Sequence, residues 1–350
     1  MAKIGEAELK MQLKNNSFSN AYLIYGDESY LKEYYISQLK NKIINPAFES
    51  FNLHQYDGKD VDLDDVFKDA EMLPMMSEYN LVLVRNYPAD KSKNDVEAIK
   101  EFLKDVAEST IFILTYESIE PVRDKKNNNF NNLIKAFDKA GSVVNLQKRT
   151  TAEVARMLVS GAKKRKAVLD ISNSNYLISV CGNDLKTLLN ELDKLANFVN
   201  GNEITKQIID DMATKGVEAK IFDLSKAVAA GKSDLAFGIL DSLLFMKEEP
   251  IRLVSTIGDV YVDMYRVKCA KTAGLHYKEV GDTFNYAGRE FVLQNAARDC
   301  SKLTEKQLRN SLDAIIDTDI KLKSTSVDSK ILIEELIAKL LLISQEDIYA

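Results

Sequence analysis

Residues 22–33 read YLIYGDESYLKE. A short apolar run, Tyr22–Tyr25, meets Gly26 and then the start of a helical pattern. A strand, a glycine turn and a helix are where a phosphate-binding loop sits. Its pattern is G-x-x-x-x-G-K-[ST], the glycines letting the backbone wrap the phosphates. Laid from Gly26, the pattern meets Leu31 at the second glycine, Lys32 at the lysine and Glu33 at the magnesium-holding hydroxyl. A Cβ at Leu31 stands where backbone must approach phosphate, and Glu33 sets a carboxylate where a neutral hydroxyl belongs. The bland reading is a strand turning tightly into a helix capped by Asp27 or Ser29.

Working outward, strand-like and helix-like segments alternate. Short apolar or β-branched runs predict strands over Ala21–Tyr25, Phe51–Gln55, Leu81–Arg85, Thr110–Thr115 and Ser142–Leu146. Helical patterns lie between them at Tyr30–Ile44, Val61–Met72, Asn94–Asp105 and Asn131–Ala140. Such alternation implies a parallel sheet with helices on both faces. Ligands of these sheets bind at the carboxyl ends of strands, where the Gly26 loop falls.

The rest of a triphosphatase is missing from the pattern. Phosphoryl transfer needs a cradle, a magnesium ligand and a group that positions water. The acidic pair should follow the third strand, but LVLVRNYP carries Arg85 and Asn86 there. The fourth, TIFILTYE, offers only Thr115 and Glu117. No G-x-S-x-G, H-E-x-x-H or Cys–His pairing appears, and His54 and His276 read as satisfied or solvated side chains. No catalytic residue, cofactor or metal is expected.

Composition narrows the classes further. The 350 residues allow two or three domains. The net charge of -6 argues against dominant, sequence-independent nucleic-acid binding, though a local basic surface stays open. Cys181, Cys269 and Cys300 are far apart and odd in number, which disfavours a disulfide framework and a zinc site. Reduced cysteines, no apolar leader in MAKIGEAELKMQLKN and no run of about 20 apolar residues suit the cytoplasm and no membrane.

After about residue 147 the strand signals fade. Helical period continues over Thr150–Lys163, Ser172–Cys181, Asp184–Asn200 and Asn202–Lys215. From Val217 the chain is again helical. Phe222–Ala230 ends at Gly231, Asp234–Lys247 precedes Pro250 at a helix start, and Ile251–Ala273 follows. Thr304–Gln307 has the spacing of a capping box, and Ser329–Leu342 is a last apolar helix. The predicted layout is an α/β domain over 1–146, a small helical block over 147–212 and a larger helical block over 213–350.

Four stretches, in order, carry a family resemblance: YLIYGDESYL, EMLPMMSEYNLVLVRNYP, GNDLKTLLNELDKLANFV and IFDLSKAVAAGKSDLAFGILDSLLFMKEEPIRLVSTI. Together they resemble the delta subunit of the bacterial DNA polymerase III clamp loader. The resemblance implies an AAA+-like parallel-sheet domain with a degenerate phosphate loop, a helical lid and an all-α collar. It also implies a subunit that binds the sliding clamp (beta) and holds its ring open without hydrolysing ATP. Partners would be the gamma/tau and delta prime subunits and primed DNA. The alternative is an AAA+ ATPase with an atypical phosphate loop.

The family's clamp contact is an apolar wedge between a helix and the third strand. Here that position holds Leu73, Pro74, Met75 and Met76. The family often has a bulky aromatic in the wedge; this chain has methionine, flexible and polarizable. The competing reading buries the four residues in the core at the sheet edge. The basic run Lys163, Lys164, Arg165 and Lys166 is a candidate DNA contact in the assembly or else a solvated helix end. KKNNNFNN, 125–132, reads as a polar surface loop.

Overall fold

The computed structural model describes residues 5–119, 121, 128–284, 286 and 290–346. The chain forms two units, Met1–Thr150 and Thr151–Ala350.

In the first unit, α1 (Glu6–Asn15), β1 (Ala21–Tyr25), α2 (Ser29–Ile43) and the short α3 (Glu49–Asn52) come first. Then follow β2 (Leu53–Asp57), α4 (Leu63–Ala70), β3 (Asn80–Arg85), α5 (Lys93–Phe102), β4 (Thr110–Thr115), α6 (Asn129–Ala140) and β5 (Ser142–Asn145). All pairings are parallel and the order is β2-β3-β4-β1-β5. The fold class is the α/β class that the alternation predicts. Strands β1 and β4 are buried at every residue, which is why they read as unbroken apolar runs. One side of the sheet packs Leu23, Val82, Val84, Phe112 and Leu114 against helix residues such as Val66, Ile99 and Phe137.

Three local expectations shift. Strand β2 starts at Leu53, and Phe51 and Asn52 belong to the turn of α3. Helix α2 has Glu28 at its N-cap with no side-chain cap, so neither Asp27 nor Ser29 serves there. The polar stretch 125–132 lies partly outside the described residues, and from Asn129 it is already α6.

In the second unit, α7 (Thr151–Lys164), α8 (Ile171–Cys181), α9 (Leu185–Val199) and α10 (Lys206–Met212) come first. Asp170, Asp184 and Thr205 cap the last three with side-chain oxygens. The helix predicted over 202–215 is shorter, because Glu203 forms an isolated parallel bridge with Val168. Then come α11 (Val217–Ala229), α12 (Ser233–Phe245), α13 (Pro250–Thr272), α14 (Tyr277–Phe284), α15 (Glu290–Asp299), α16 (Glu305–Ser324) and α17 (Ser329–Gln345). One apolar cluster runs through α11 to α17 from Ile221 to Leu341 and includes the buried Tyr261 and Met264 of α13. Gly231 takes φ +68° just past α11, and Thr304 and Gln307 close a capping box on α16.

Candidate functional site

The apolar loop after α4 is exposed. Met72, Leu73, Met75 and Met76 are 53, 85, 51 and 78% accessible, and Pro74 is half-buried. These residues are not core. Exposed apolar side chains this close together usually mark a binding surface.

Buried polar groups fix the loop's backbone. Asn52, fully buried in α3, donates from Nδ2 to the Met75 carbonyl at 2.9 Å. It also accepts from the Met75 N–H at 2.6 Å through Oδ1. Asn80, at the start of β3, donates to the carbonyls of Asp69 at 2.7 Å and Met72 at 3.4 Å. Thr110 Oγ1 donates to the Ala70 carbonyl at 2.7 Å. Helix α3 and strand β3 thus hold the loop's backbone, and strand β4 holds the last residue of α4 that leads into it. Met76 itself takes φ +50°, a left-handed conformation that costs a β-carbon-bearing residue about 1–2 kcal/mol.

The end of α4 is tied as well. Asp69 Oδ2 lies 2.9 Å from His54 Nδ1 and accepts from the Tyr56 hydroxyl at 2.5 Å. Burial, then the Asp69 carboxylate, pushes the Tyr56 phenol well above its ordinary range. His54 therefore orients a helix end that leads directly into the exposed methionines.

The Gly26 loop is occupied by its own chain. Gly26 has φ +123°, and a Cβ there would lie 2.2 Å from the Leu146 carbonyl oxygen. Glycine is required by this close approach and by the backbone conformation. The Glu28 N–H, in the turn where a phosphate loop presents its amides, donates to Leu146 O at 3.0 Å. Lys32 is buried, and its Nζ donates to the carbonyls of Tyr116 at 2.7 Å and Glu117 at 3.0 Å. Leu31 is buried and Glu33 is exposed.

The carboxyl ends of β3 and β4 are likewise filled. Arg85 pairs with Glu117 at 3.1 Å and donates to Gln55 at 2.9 Å. Asn86, at φ +54°, accepts from the N–H groups of Glu117 and Ser118. Its amide donates to Asp57 at 3.0 Å. Burial raises the Glu117 carboxyl and Arg85 opposes that rise, leaving it above its ordinary value. Among the described residues no group of three or more His, Cys, Asp or Glu is placed to hold a metal ion, and no helix is long and apolar enough to cross a membrane.

The basic quartet splits at the end of α7. Lys163, Lys164 and Lys166 are exposed, and Lys166 takes φ +61° as the helix closes. Arg165 is bound to the Asp193 carboxylate of α9 and to the Gly161 carbonyl at 3.2 Å. Arg165 holds α7 to α9, and the three lysines face solvent.

Sequence reasoning found the apolar loop but not its holders. Asn52 lies 23 residues from Met75, and no spacing rule connects them. The one available signal was an amide inside an apolar run, where a buried polar group needs a partner.

An α/β unit whose glycine loop is engaged by its own chain just past β4 and β5, joined to a helical unit and bearing a braced apolar loop, defines the class. The chain belongs to the DNA polymerase III delta subunit family. The family model "DNA polymerase III, delta subunit" matches residues 22–147, and "DNA polymerase III delta subunit, C-terminal domain" matches 218–340. A curated relative, DNA polymerase III subunit delta of Bacillus subtilis (strain 168), is 24% identical over 339 residues, covering 94% of this chain and 95% of that protein. The solved structure of the Bacillus subtilis DNA clamp loader delta protein matches with a TM-score of 0.57 at 23% identity, covering 96% of this chain and 99% of that one.

Proposed function

We propose that this chain is the clamp-opening subunit of a DNA polymerase III clamp loader. In this reading it binds the sliding clamp through Leu73, Pro74, Met75 and Met76 and hydrolyses no ATP itself. The observation that carries the reading is the loop: exposed apolar side chains on a backbone fixed by Asn52 and Asn80, after a helix end held by Thr110. Fully burying one methionine contributes about 1.5–3 kcal/mol, and a loop already ordered loses little entropy on docking. Opening a ring requires differential binding. The loop must hold the clamp more tightly with one interface parted, since equal affinity for both states shifts nothing.

Several properties belong to the same reading. The self-engaged Gly26 loop and the buried Lys32 support a subunit that leaves hydrolysis to other members of an assembly with gamma/tau and delta prime subunits. Beyond the α/β domain the chain divides at about residue 212 into a lid (147–212) and a collar (213–350) that packs against those neighbours. The apolar cluster beginning at Ile221 supports that division. Lys163, Lys164 and Lys166 would face primed DNA in the assembly, in the cytoplasm.

The test is binding of the purified chain to its own organism's sliding clamp, with and without Met75→Ala plus Met76→Ala. Loss of binding by a variant that still unfolds cooperatively at the wild-type temperature supports the wedge. Wild-type affinity in the double variant removes it. Thermal stabilisation of the chain by magnesium-ATP would favour the atypical ATPase instead.

A further inference from the structure

A second surface lies on the first unit, between α1 and α2. A groove of about 390 Å³ is walled by Lys10 and Lys14 on α1 and by Tyr34, Gln38 and Lys42 on α2. Leu13 and Tyr35 form its floor, and none of its lining residues is acidic. The chain as a whole has a net charge of -6, so this concentration of ammonium groups is local.

The carboxylate in contact with this groove is already neutralised. Glu6 pairs with Lys10 at 2.8 Å and with Arg149, and it accepts from the Tyr35 hydroxyl at 2.6 Å. Lys42 donates only to a neutral amide oxygen, Asn16 Oδ1, at 2.9 Å. Among the described residues Lys14 has no hydrogen-bond or ion-pair partner. Two ammonium charges thus face the groove without a counter-charge. One face of α2 runs from aromatic to basic: Tyr30, Tyr34, Gln38 and Lys42 are spaced four apart.

The aromatic part is prearranged. Tyr30 and Tyr34 stack with centroids 6.2 Å apart and planes 21° from parallel. Tyr35 meets Tyr34 edge-on at 5.2 Å. The Tyr34 ring is therefore held in place while 44% accessible. An aromatic face beside a basic track is the recognition chemistry of single-stranded nucleic acid.

We propose that the α1–α2 groove binds single-stranded nucleic acid, with a base on Tyr34 and phosphates on Lys14 and Lys42. This site is separate from the methionine loop and does not depend on the clamp reading. An acidic peptide would use the lysines but gain nothing from a stacked ring.

The experiment is fluorescence anisotropy of a labelled oligothymidylate with the full chain, titrated at several salt concentrations. Tyr34→Ala is expected to weaken binding about tenfold, within the range for losing one stacked base, and Tyr34→Phe to leave it unchanged. Lys14→Ala and Lys42→Ala should each lower the slope of log affinity against log salt by about 0.7. Met75→Ala plus Met76→Ala should bind the oligonucleotide as wild type does, so failure of the clamp reading stays distinguishable. The three side chains substituted in the groove tests, Lys14, Tyr34 and Lys42, are exposed, and circular dichroism checks the fold. No binding at low salt, or binding indifferent to Tyr34→Ala and the lysine changes, overturns the proposal. Displacement by oligoglutamate together with a neutral Tyr34→Ala assigns the groove to acidic peptides and overturns it as well.

Discussion

Asn52 grips Met75 from both sides of its backbone, donating to its carbonyl at 2.9 Å and accepting its N–H at 2.6 Å. Residue 52 is fully buried and residue 75 is half exposed. A core amide therefore sets the path of a surface loop. Removing it strands the Met75 donor and acceptor, at a cost of about 1–3 kcal/mol for a buried polar group left unpaired. Asn52→Ala should lower stability by that amount in urea unfolding. It should also weaken clamp binding although every apolar side chain of the loop remains. Clamp affinity equal to wild type would mean that the loop orders itself on the partner.

Met76 poses a separate trade. It holds a left-handed backbone and a side chain that is 78% accessible. Glycine would adopt φ +50° freely, and little burial would be lost. Met76→Gly should therefore leave stability unchanged or slightly higher while lowering clamp affinity. Strained backbone is found at ligand clamps and binding positions, and also at helix ends such as Lys166. A fall in thermal stability of several degrees would show instead that the methionine side chain supports the fold.

Legibility in the sequence followed burial. Strands β1 and β4 were readable to the residue because both faces are covered and every position is apolar or β-branched. Strand β2 alternates half-buried and exposed residues in LHQYD, so its register slipped toward the apolar Phe51. Helix α1 mixes lysines and glutamates with only Leu9 and Leu13 buried, too narrow a stripe to announce itself. For the loop, an apolar cluster beside a proline reads the same whether it faces solvent or core. Only the packing of Asn52, Asn80 and Thr110, distant in sequence, decides that Leu73 and Met76 point outward. At Gly26 the sequence shows the departure from the phosphate pattern, but not that Leu146 fills the approach to the glycine.

A pH dependence is expected from α9. Glu191 is buried, pairs with Lys194 at 2.6 Å and accepts the Thr214 N–H at 3.0 Å. Burial works to raise its carboxyl, but Lys194 and Thr214 outweigh burial and hold it below its ordinary value. A depressed carboxylate contributes stability that is present above its unfolded value of about 4.3. That contribution is lost as pH falls through the lower folded value. Glu191→Gln should reduce stability by about 1 kcal/mol at pH 7. The gap between variant and wild type should close in acid. A gap constant from pH 7 to pH 3 would show that shape, not charge, is what Glu191 supplies.

Lys32 separates the two readings of the Gly26 loop. A phosphate-binding lysine is held for its ligand, so removing it abolishes nucleotide binding and spares the fold. Here the ammonium is buried and bridges the carbonyls of Tyr116 and Glu117 at 2.7 and 3.0 Å, joining α2 to the end of β4. Hydrogen bonds from a charged donor contribute about 1.5–3 kcal/mol each, and truncation adds a cavity. Lys32→Ala should therefore destabilise the chain by about 2–4 kcal/mol. Magnesium-ATP should shift the melting temperature of neither form. The opposite pair of results, a nucleotide-dependent shift in the wild type that vanishes in a fully stable Lys32→Ala, would restore Lys32 as a phosphate ligand.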